Sequence, residues 1–369
     1  MPNSTLVHVI TGLKSGGAEW ALARTAMGLQ QRGYDQHVVS LTADGPVGDA
    51  LRQAGIPVHI LPVPMSLGGI RSIRKLRDLF SALNAQWVQS WMYHADFAVS
   101  LASRKPTKQF WGIRNSTLTP GAAKRSTRMI RAICARRSYR FPQQIISCSH
   151  AAAQHHIEIG YDRTKMNVIP NGYDLARFSP NEELRNSWRT RLGYSEFDFV
   201  FGHAARNHPQ KGHEIFLRAC DRVRAERIDS KFMLCGEGVA AGNAPFHELA
   251  SKLTFQFLGQ IEEMAGFYAA CDGFVLSSVA GEAFPNVVAE AMACGVPCVV
   301  TDIGDAKEIV GDTGWVVSPN DERELAGAML NLANVEDQMS RRTSARQRIC
   351  DHFQLESVIS RFDQVYQGS

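Results

Sequence analysis

The chain has 369 residues and a formal net charge of +4, with 44% hydrophobic and 21% charged residues, a composition typical of globular domains. Its length suits two domains of ordinary size, each with its own core. No apolar run is long enough to span a membrane, and the first residues lack the basic start and long apolar region of a signal peptide. These features argue against secretion and against insertion into a membrane.

The cysteines give the same indication about the compartment. Eight cysteines occur without a C-x-x-C pair or a regular spacing, and only Cys294 and Cys298 are close together in the sequence. This pattern is typical of reduced, buried cysteines in a cytosolic protein. We therefore expect a cytoplasmic protein without a disulfide framework.

Short apolar strands alternate with amphipathic helices, which predicts parallel sheets with helices on both faces. A first series of strands is expected at Leu6–Ile10, His37–Leu41, Val58–Leu61, Trp87–Trp91, Gln109–Gly112, Ile145–Ser147 and Asn167–Ile169. A second series is expected at Phe199–His203, Lys231–Leu234, Thr254–Leu258, Gly273–Leu276, Pro297–Val300 and Gly314–Val317. The Pro, Gly and Asn residues between Ile169 and Pro180 indicate an interdomain linker. The fold class is α/β, with two doubly wound domains that face each other across a cleft.

Ligands of an open parallel sheet bind at the carboxyl ends of its strands, so the loops after strands carry the candidate site residues. The loop after the first strand contains Gly16 and Gly17, which let the backbone approach a phosphate or sugar closely, although paired glycines also occur in plain turns. His94 follows Trp87–Trp91 at the start of a helix. An isolated histidine there is more often a surface or capping residue than a catalytic one.

The stretch from Phe97 to Ile157 contains eleven Lys or Arg residues and no Asp or Glu. Seven of these bases fall on one predicted helix: Lys124, Arg125, Arg128, Arg131, Arg136, Arg137 and Arg140. Such a helix suits an anionic membrane surface. It could equally pack its short apolar stripe on its own domain. Nucleic acid is a third option, but no nucleic-acid motif accompanies the charge, and we expect no nucleic-acid partner.

In the second domain, the loop after the first strand carries Arg206 and Lys211 on either side of a Pro turn. Two cations in this position can neutralise the charge that develops on a departing diphosphate, although solvated surface bases are the default for Arg and Lys. Gly236 lies in a Gly-x-Gly loop after the next strand, which by itself is a weak indication of a nucleotide site.

The segment from Gly281 to Pro297 is the most informative part of the chain. It contains Glu282, then a predicted helix that Asn286 caps and that Gly295 ends in the left-handed conformation. A helical wheel places one set of residues on an apolar face, namely Val287, Val288, Ala291 and Met292, and another on the polar face, namely Asn286, Glu290 and Ala293. The helix N-terminus suits a phosphate, and Glu290 suits sugar hydroxyls. The alternative is a pair of solvated acids on the surface.

These residues resemble the Glu-x7-Glu segment of retaining GT-B glycosyltransferases of the GT4-like (glycosyl transferases group 1) family, and the resemblance covers nearly the whole chain. The Pro170-Asn171-Gly172 linker pattern also recurs in that family. One departure is Ala283, because many members have Gly there, and Ala is restricted if the position needs a positive φ. Donor choice would then differ from that of better-known members.

The resemblance implies a role for each candidate residue. The catalytic set is His94, Glu282, Arg206 and Lys211, and the residues that bind the donor are Gly16, Gly17, Gly236, Phe284, Pro285, Asn286, Val287 and Glu290. It also implies an acceptor-side domain at residues 1–172, joined by a C-terminal helix at 354–369, and a nucleotide-sugar domain at 173–353.

We therefore expect a metal-independent, retaining glycosyltransferase without a cofactor, which moves a sugar from a nucleotide-sugar, most plausibly a UDP-sugar. The acceptor is a saccharide or a lipid-linked sugar of surface polysaccharide (capsule, lipopolysaccharide) or glycolipid assembly, and residues 97–157 would hold the enzyme peripherally on the inner face of the cytoplasmic membrane. A glycoside hydrolase is disfavoured by the separation expected between Glu282 and Glu290. A nucleotide-sugar epimerase of the same architecture and a non-catalytic nucleotide-sugar binding protein remain alternatives.

Overall fold

The computed structural model describes residues 5–62, 69–116, 124–227, 229–244, 246 and 255–368. The chain divides into two compact units. The first contains the residues up to Gly172 together with those from Leu355 onwards, and the second contains Tyr173–Gln354. Gln354 forms an isolated bridge with Tyr173, which places it in the second unit.

The first unit is built on a sheet of seven parallel strands in the order β3-β2-β1-β4-β5-β6-β7. These strands are β1 Thr5–Ile10, β2 Asp35–Ser40, β3 Val58–Ile60, β4 Trp87–Trp91, β5 Lys108–Ile113, β6 Gln144–Ser147 and β7 Met166–Val168. The connecting helices are α1 Gly17–Gln31, α2 Pro46–Gln53, α3 Gly69–Ala82, α4 Tyr93–Ala102, α5 Arg125–Ser138 and α6 His150–Glu158. Every residue of β1 is buried, as expected of a strand with helices on both faces.

The second unit repeats this plan with six parallel strands in the order β10-β9-β8-β11-β12-β13. The strands are β8 Phe199–Ala204, β9 Ser230–Cys235, β10 Phe255–Phe257, β11 Gly273–Leu276, β12 Cys298–Thr301 and β13 Trp315–Val317. The helices are α7 Glu182–Leu192, α8 His213–Glu226, α9 Met264–Ala270, α10 Asn286–Ala293, α11 Ala306–Val310, α12 Glu322–Ala333 and α13 Gln338–Phe353. The prediction of two doubly wound α/β domains is confirmed.

All thirteen predicted strands are present, and their ends differ from the prediction by at most two residues. The largest difference is at β2, which starts at Asp35 rather than His37 because Asp35 pairs with Thr5 of β1. Hydrogen bonding to the neighbouring strand extends β2 beyond its apolar residues, and the apolar pattern cannot reveal such pairing. Thr254, at the start of the strand predicted at 254–258, lies outside the described residues.

The cysteines are unpaired, as predicted, and seven of the eight are buried, while Cys350 is partly exposed. Among the described helices, none is long and apolar enough to cross a membrane.

The basic segment around α5 differs from its predicted form. The helix spans Arg125–Ser138, so Lys124 precedes it and Arg140 follows it. Its apolar side, with Ile130 and Cys134 buried, packs against α4. This packing matches the alternative in which the helix covers its own domain, and binding to a membrane stays a prediction. Residues 117–123 of the segment lie outside the described residues.

The last helix, α14 (Leu355–Gln367), belongs to the first unit and packs against α1. Its apolar face enters a buried cluster in which Phe362 stacks on Trp91, with ring centroids 6.5 Å apart, and lies 6.3 Å from Tyr366. Burial of this face therefore holds a distant segment of the chain on the first sheet.

We predict that Phe362→Ala lowers the stability of the first unit by about 3–5 kcal/mol, because truncation of a buried aromatic ring leaves a cavity. Hydrogen exchange measured by mass spectrometry should become much faster in α1 and α14 while exchange in β8 and β9 stays as in the wild type. Met129→Ala is the control, because Met129 is 58% exposed. Equal acceleration in both units would contradict the assignment of α14 to the first unit.

Candidate active site

The strand order reverses at the same place in both sheets. In each, the first strand of the unit lies between the second and the fourth, so that β1 neighbours β4 and β8 neighbours β11. A crevice at the carboxyl ends of such a strand pair is the usual ligand site of a doubly wound sheet. Most candidate site residues therefore belong to the loops that follow β1, β4, β8 and β11 or to the helices that these loops lead into, while Gly236 follows β9.

The loop after β8 brings Lys211 back over the sheet. Arg206 is exposed, and Pro209–Lys211 forms a single 3-10 turn. Gly212 follows with φ +62°, and a Cβ on it would lie 2.0 Å from the carbonyl oxygen of Ser277. Only glycine allows this close approach of the loop to the end of β11.

Lys211 and Glu282 form an ion pair at this edge of the second sheet. Lys211 Nζ lies 2.5 Å from Glu282 Oε1, and the Ser278 hydroxyl donates to the same oxygen at 2.7 Å. Glu282 is only 9% exposed, so its charge is neutralised by a neighbouring cation rather than by water alone. The fold thus joins two residues that lie 71 positions apart in the chain.

Helix α10 begins next to this pair, and its start differs from the prediction. Pro285 occupies the N-cap position, and no side chain caps the helix. Asn286 is the first helical residue, and its Oδ1 accepts a hydrogen bond from the Tyr173 hydroxyl at 2.6 Å. The prediction that Asn286 caps the helix is therefore wrong, because a tyrosine from a distant segment takes the side-chain oxygen. The prediction of a left-handed Gly295 is confirmed by its φ of +75°.

The helical wheel of α10 was also partly wrong. Ala293, placed on the polar face, is fully buried, while Val287, placed on the apolar face, is half-buried. The reason is that α13 packs against α10 in addition to the sheet, so both sides of the helix face protein. Glu290 keeps partial exposure, and its Oε2 accepts a hydrogen bond from the buried Tyr268 hydroxyl at 3.0 Å.

The residues between the two glutamates are held by aromatic packing and backbone bonds. Phe284 stacks on Tyr173 with centroids 6.4 Å apart and meets Phe353 edge-on at 5.5 Å. Ala283 is not among the residues with positive φ, and its carbonyl accepts a hydrogen bond from Asp305 N at 2.9 Å. Alanine at this position is therefore unstrained, and the backbone restriction that we considered does not arise.

Gly236 lies in the loop after β9, at a position where a side chain would clash with the backbone of the neighbouring loop. Its φ is +144°, and a Cβ would lie 2.0 Å from the carbonyl oxygen of Ala205. Asn207 N donates to Glu237 O at 2.7 Å. The loops after β8 and β9 thus touch through their backbones, which explains the glycine without a ligand; its role toward a donor stays a prediction.

In the first unit, Gly16 and Gly17 form the start of α1. Gly16 is the N-cap with an extended backbone, and a Cβ on it would lie 2.4 Å from the Glu19 carboxylate. Burial raises the pKa of Glu19. The close approach of the Glu19 carboxylate thus explains glycine at position 16. Gly17 is the first residue of α1 and is exposed.

His94 lies in the first turn of α4, directly after the end of β4. The turn is fixed by Met92, which has φ +75°. Partial burial lowers the pKa of His94 below its ordinary value, which favours the neutral imidazole at neutral pH. A neutral imidazole can both donate and accept a hydrogen bond, as contact with a sugar hydroxyl would require.

Several residues that contact the predicted site residues were missed by the sequence analysis: Tyr173, His203, Tyr268, Ser277 and Ser278. Ser277 and Ser278 follow β11, Tyr268 lies in α9, His203 lies in β8, and Tyr173 lies in an isolated bridge, all without a composition signal. Only the rule that strand ends carry site residues could have indicated Ser277 and Ser278. Among the residues that the structure describes, no group of three or more His, Cys, Asp or Glu side chains could hold a metal ion.

Two family models match the chain. The model described as Glycosyl transferases group 1 matches residues 198–334, and the model described as Glycosyltransferase Family 4 matches residues 15–177. Together they include all the candidate site residues. The chain belongs to the GT4-like glycosyltransferases of group 1. The prediction of this family is confirmed.

The curated relatives agree with this family. The chain is similar to UDP-Gal:alpha-D-GlcNAc-diphosphoundecaprenol alpha-1,3-galactosyltransferase of Escherichia coli, with 26% identity over 57% of the chain and 56% of that protein. It is also similar to D-inositol 3-phosphate glycosyltransferase of Stackebrandtia nassauensis, with 32% identity over 46% of the chain and 41% of the relative. The chain thus spans about half the length of the curated relatives that it matches.

Solved structures match over the full length. The crystal structure of Anabaena HepE in complex with UDP has a TM-score of 0.87 at 23% identity, covering 99% of this chain and all of that one. The structure of WaaG, a glycosyltransferase involved in lipopolysaccharide biosynthesis, has a TM-score of 0.76 at 14% identity, covering 99% of this chain and all of that one. These likenesses concern the fold alone, and they confirm the two-domain GT-B fold.

Proposed function

We propose that the protein transfers a sugar from a UDP-sugar to a saccharide or lipid-linked acceptor, with retention of configuration and without a metal ion. The observation that carries this proposal is the Lys211–Glu282 ion pair beside the N-terminus of α10, at the carboxyl ends of β8 and β11. A cation and an anion side by side suit a substrate that has both phosphates and sugar hydroxyls.

The diphosphate would be held by the cations and by the helix. The Lys211 ammonium group has three N–H donors, and one of them donates to Glu282 Oε1. The others are available for phosphate oxygens. Arg206 is exposed on the same loop and supplies a second positive charge. The N-terminus of α10 adds its free amides and partial positive charge, through Asn286 and Val287. Charge that develops on the leaving diphosphate is thereby stabilised.

The sugar would be held by the carboxylate of Glu282, and the ribose by that of Glu290. Glu282 Oε1 already accepts two hydrogen bonds, from Lys211 and Ser278, which lower the nucleophilicity of this carboxylate and leave Oε2 to accept from a sugar hydroxyl. We therefore favour transfer without a covalent enzyme intermediate. The bond from the anomeric carbon to the diphosphate breaks, the acceptor oxygen bonds to that carbon on the same face, and its proton passes to the leaving phosphate.

The choice of nucleotide and acceptor rests on the relatives. The neighbouring structure contains UDP, and the name of the Escherichia coli relative gives a UDP-sugar donor and a diphosphoundecaprenol-linked acceptor. A Corynebacterium glutamicum relative is instead named as GDP-mannose-dependent. A panel of nucleotide-sugars, assayed for release of nucleoside diphosphate and for product, tests the proposal. Interconversion of nucleotide-sugars without release would indicate an epimerase, and binding without turnover would indicate a non-catalytic protein.

We predict that Lys211→Ala and Arg206→Ala each lower kcat by about 100- to 1,000-fold, because each removes a charge that acts on the departing diphosphate. Circular dichroism should show an unchanged fold. The matched control is Arg218→Ala, which removes an exposed base from the same unit at a surface pair with Glu214. Near-normal turnover in both site variants would disprove the assignment of these cations.

Metal independence gives a separate prediction. Since the positive charges of Arg206 and Lys211 take the place of a divalent cation, excess EDTA should leave the turnover rate unchanged. Loss of activity that Mg²⁺ or Mn²⁺ restores specifically would contradict this. A zinc-dependent control enzyme assayed in the same buffer would verify that the chelator is effective.

The acceptor and the location of the enzyme are linked to the basic segment. We propose a cytoplasmic enzyme that binds peripherally to anionic lipid through residues 97–157 and serves surface polysaccharide or glycolipid assembly. Support comes from the bases of this segment that are exposed in the described residues, including Arg104, Lys105, Lys124, Arg125, Arg136 and Arg140. Each base near a membrane surface contributes about 1 kcal/mol, so a few suffice for reversible binding.

We predict that replacing four exposed bases of this segment with Gln reduces sedimentation with anionic vesicles and leaves nucleotide release in solution largely unchanged. The four are Lys124, Arg125, Arg136 and Arg140. The control replaces four exposed bases of the second unit, namely Arg218, Arg222, Lys307 and Arg323. Raised salt should weaken wild-type binding. A wild type without preference for anionic over neutral vesicles at low salt would exclude the membrane and favour a soluble acceptor.

A further inference from the structure

Two consecutive serines at the end of β11 contact both members of the Lys211–Glu282 ion pair. The Ser277 hydroxyl donates to the carbonyl oxygen of Lys211 at 3.0 Å. The Ser278 hydroxyl donates to Glu282 Oε1 at 2.7 Å. Both serines are buried, and successive side chains at a strand end point to opposite sides, which lets neighbouring residues reach different partners.

A buried histidine lies beside the Ser277 hydroxyl. His203 Nε2 lies 3.0 Å from the Ser277 oxygen. Burial lowers the pKa of His203 well below its ordinary value, so the ring is neutral. With the ring hydrogen on Nε2, the imidazole donates to Ser277, and the Ser277 hydroxyl donates to the Lys211 carbonyl oxygen. A directed chain therefore runs from His203 through Ser277 to the backbone of Lys211.

The backbone around the two serines allows little displacement. Gly212, directly after Lys211, approaches the Ser277 carbonyl so closely that a Cβ would lie 2.0 Å from it. On the other side, the Thr301 hydroxyl of β12 donates to the Ser278 carbonyl at 2.7 Å. The Ser278 carbonyl is thus hydrogen-bonded to β12, and the Ser277 carbonyl packs closely against Gly212.

We infer that Ser278 is a positioning residue that orients the Glu282 carboxylate toward the donor sugar, and that Ser277 with His203 positions Lys211 through its backbone. Ser278 and Lys211 both bind Oε1, so the second oxygen of Glu282, which has no partner among the described residues, is the one presented to a sugar hydroxyl. This inference rests on the proposed transferase function and deepens it.

The two serines should therefore have separable effects. Ser278 acts on the sugar side through a hydrogen bond to a charged group, and its loss should lower kcat about 10- to 100-fold while the affinity for UDP stays within about twofold. Ser277 acts on the phosphate side, so Ser277→Ala should weaken UDP binding as well. A role in folding alone would not divide the two variants in this way.

A double-mutant cycle is the decisive experiment. The kcat of Ser278→Ala, Glu282→Ala and the double variant is compared with that of the wild type, using the best nucleotide-sugar of the panel. In the Glu282→Ala background, Ser278→Ala should have no further effect, because the carboxylate that it orients is absent. Ser230→Ala is the matched control, since Ser230 is a buried serine of the same unit whose hydroxyl has no partner among the described residues.

The outcomes separate this inference from the proposed function. Absence of turnover by the wild type with every donor would overturn both. If the wild type turns over and Ser278→Ala has the same kcat, the positioning role alone is overturned. The same holds if the fold-reductions in kcat of Ser278→Ala and Glu282→Ala multiply in the double variant. A loss equal to that of Ser230→Ala, accompanied by the same fall in melting temperature, would also overturn it.

Discussion

Parallel strand pairing with one reversal of order is the constraint on which the rest of each unit depends. A parallel strand cannot follow its neighbour directly, so a crossover connection is needed between successive strands of each sheet, and all carboxyl ends lie on one edge. The reversal separates the helices that follow β8 and β11 onto opposite faces, which opens the edge between them. The loops with Lys211 and Glu282 meet at this edge, where the two side chains form an ion pair.

Burial at this edge makes the charges interdependent. Glu282 is almost fully buried, and a carboxylate in that position is stable only with a cation and hydrogen-bond donors beside it. Lys211 and Ser278 supply them, while Gly212 and Ser277 keep the lysine loop close enough for contact. The same arrangement that stabilises the buried acid also creates a cation next to an anion, which a nucleotide-sugar can use.

Much of the fold followed from local patterns. The strands were predicted from apolar runs such as that of β1, because buried strands require apolar residues. The end of α10 was predicted from Gly295, because the left-handed backbone conformation favours glycine. The errors occurred where a neighbour from a distant segment decided the outcome. The Tyr173 hydroxyl donates to the Asn286 side-chain oxygen, which therefore does not cap α10. Packing of α13 against α10 buries Ala293, although a helical wheel places it on the polar face.

By itself the sequence determined the two doubly wound units, the family and the loops that carry the candidate site, since periodicity, turn residues and motif spacing are properties of short segments. Only the tertiary structure decided which side chains in those loops touch. The pairing of Lys211 with Glu282, of Ser277 with Lys211 and of Tyr268 with Glu290 joins residues that are 71, 66 and 22 positions apart in the chain. Such contacts depend on strand order and on the depth of burial, and neither is encoded in any one segment.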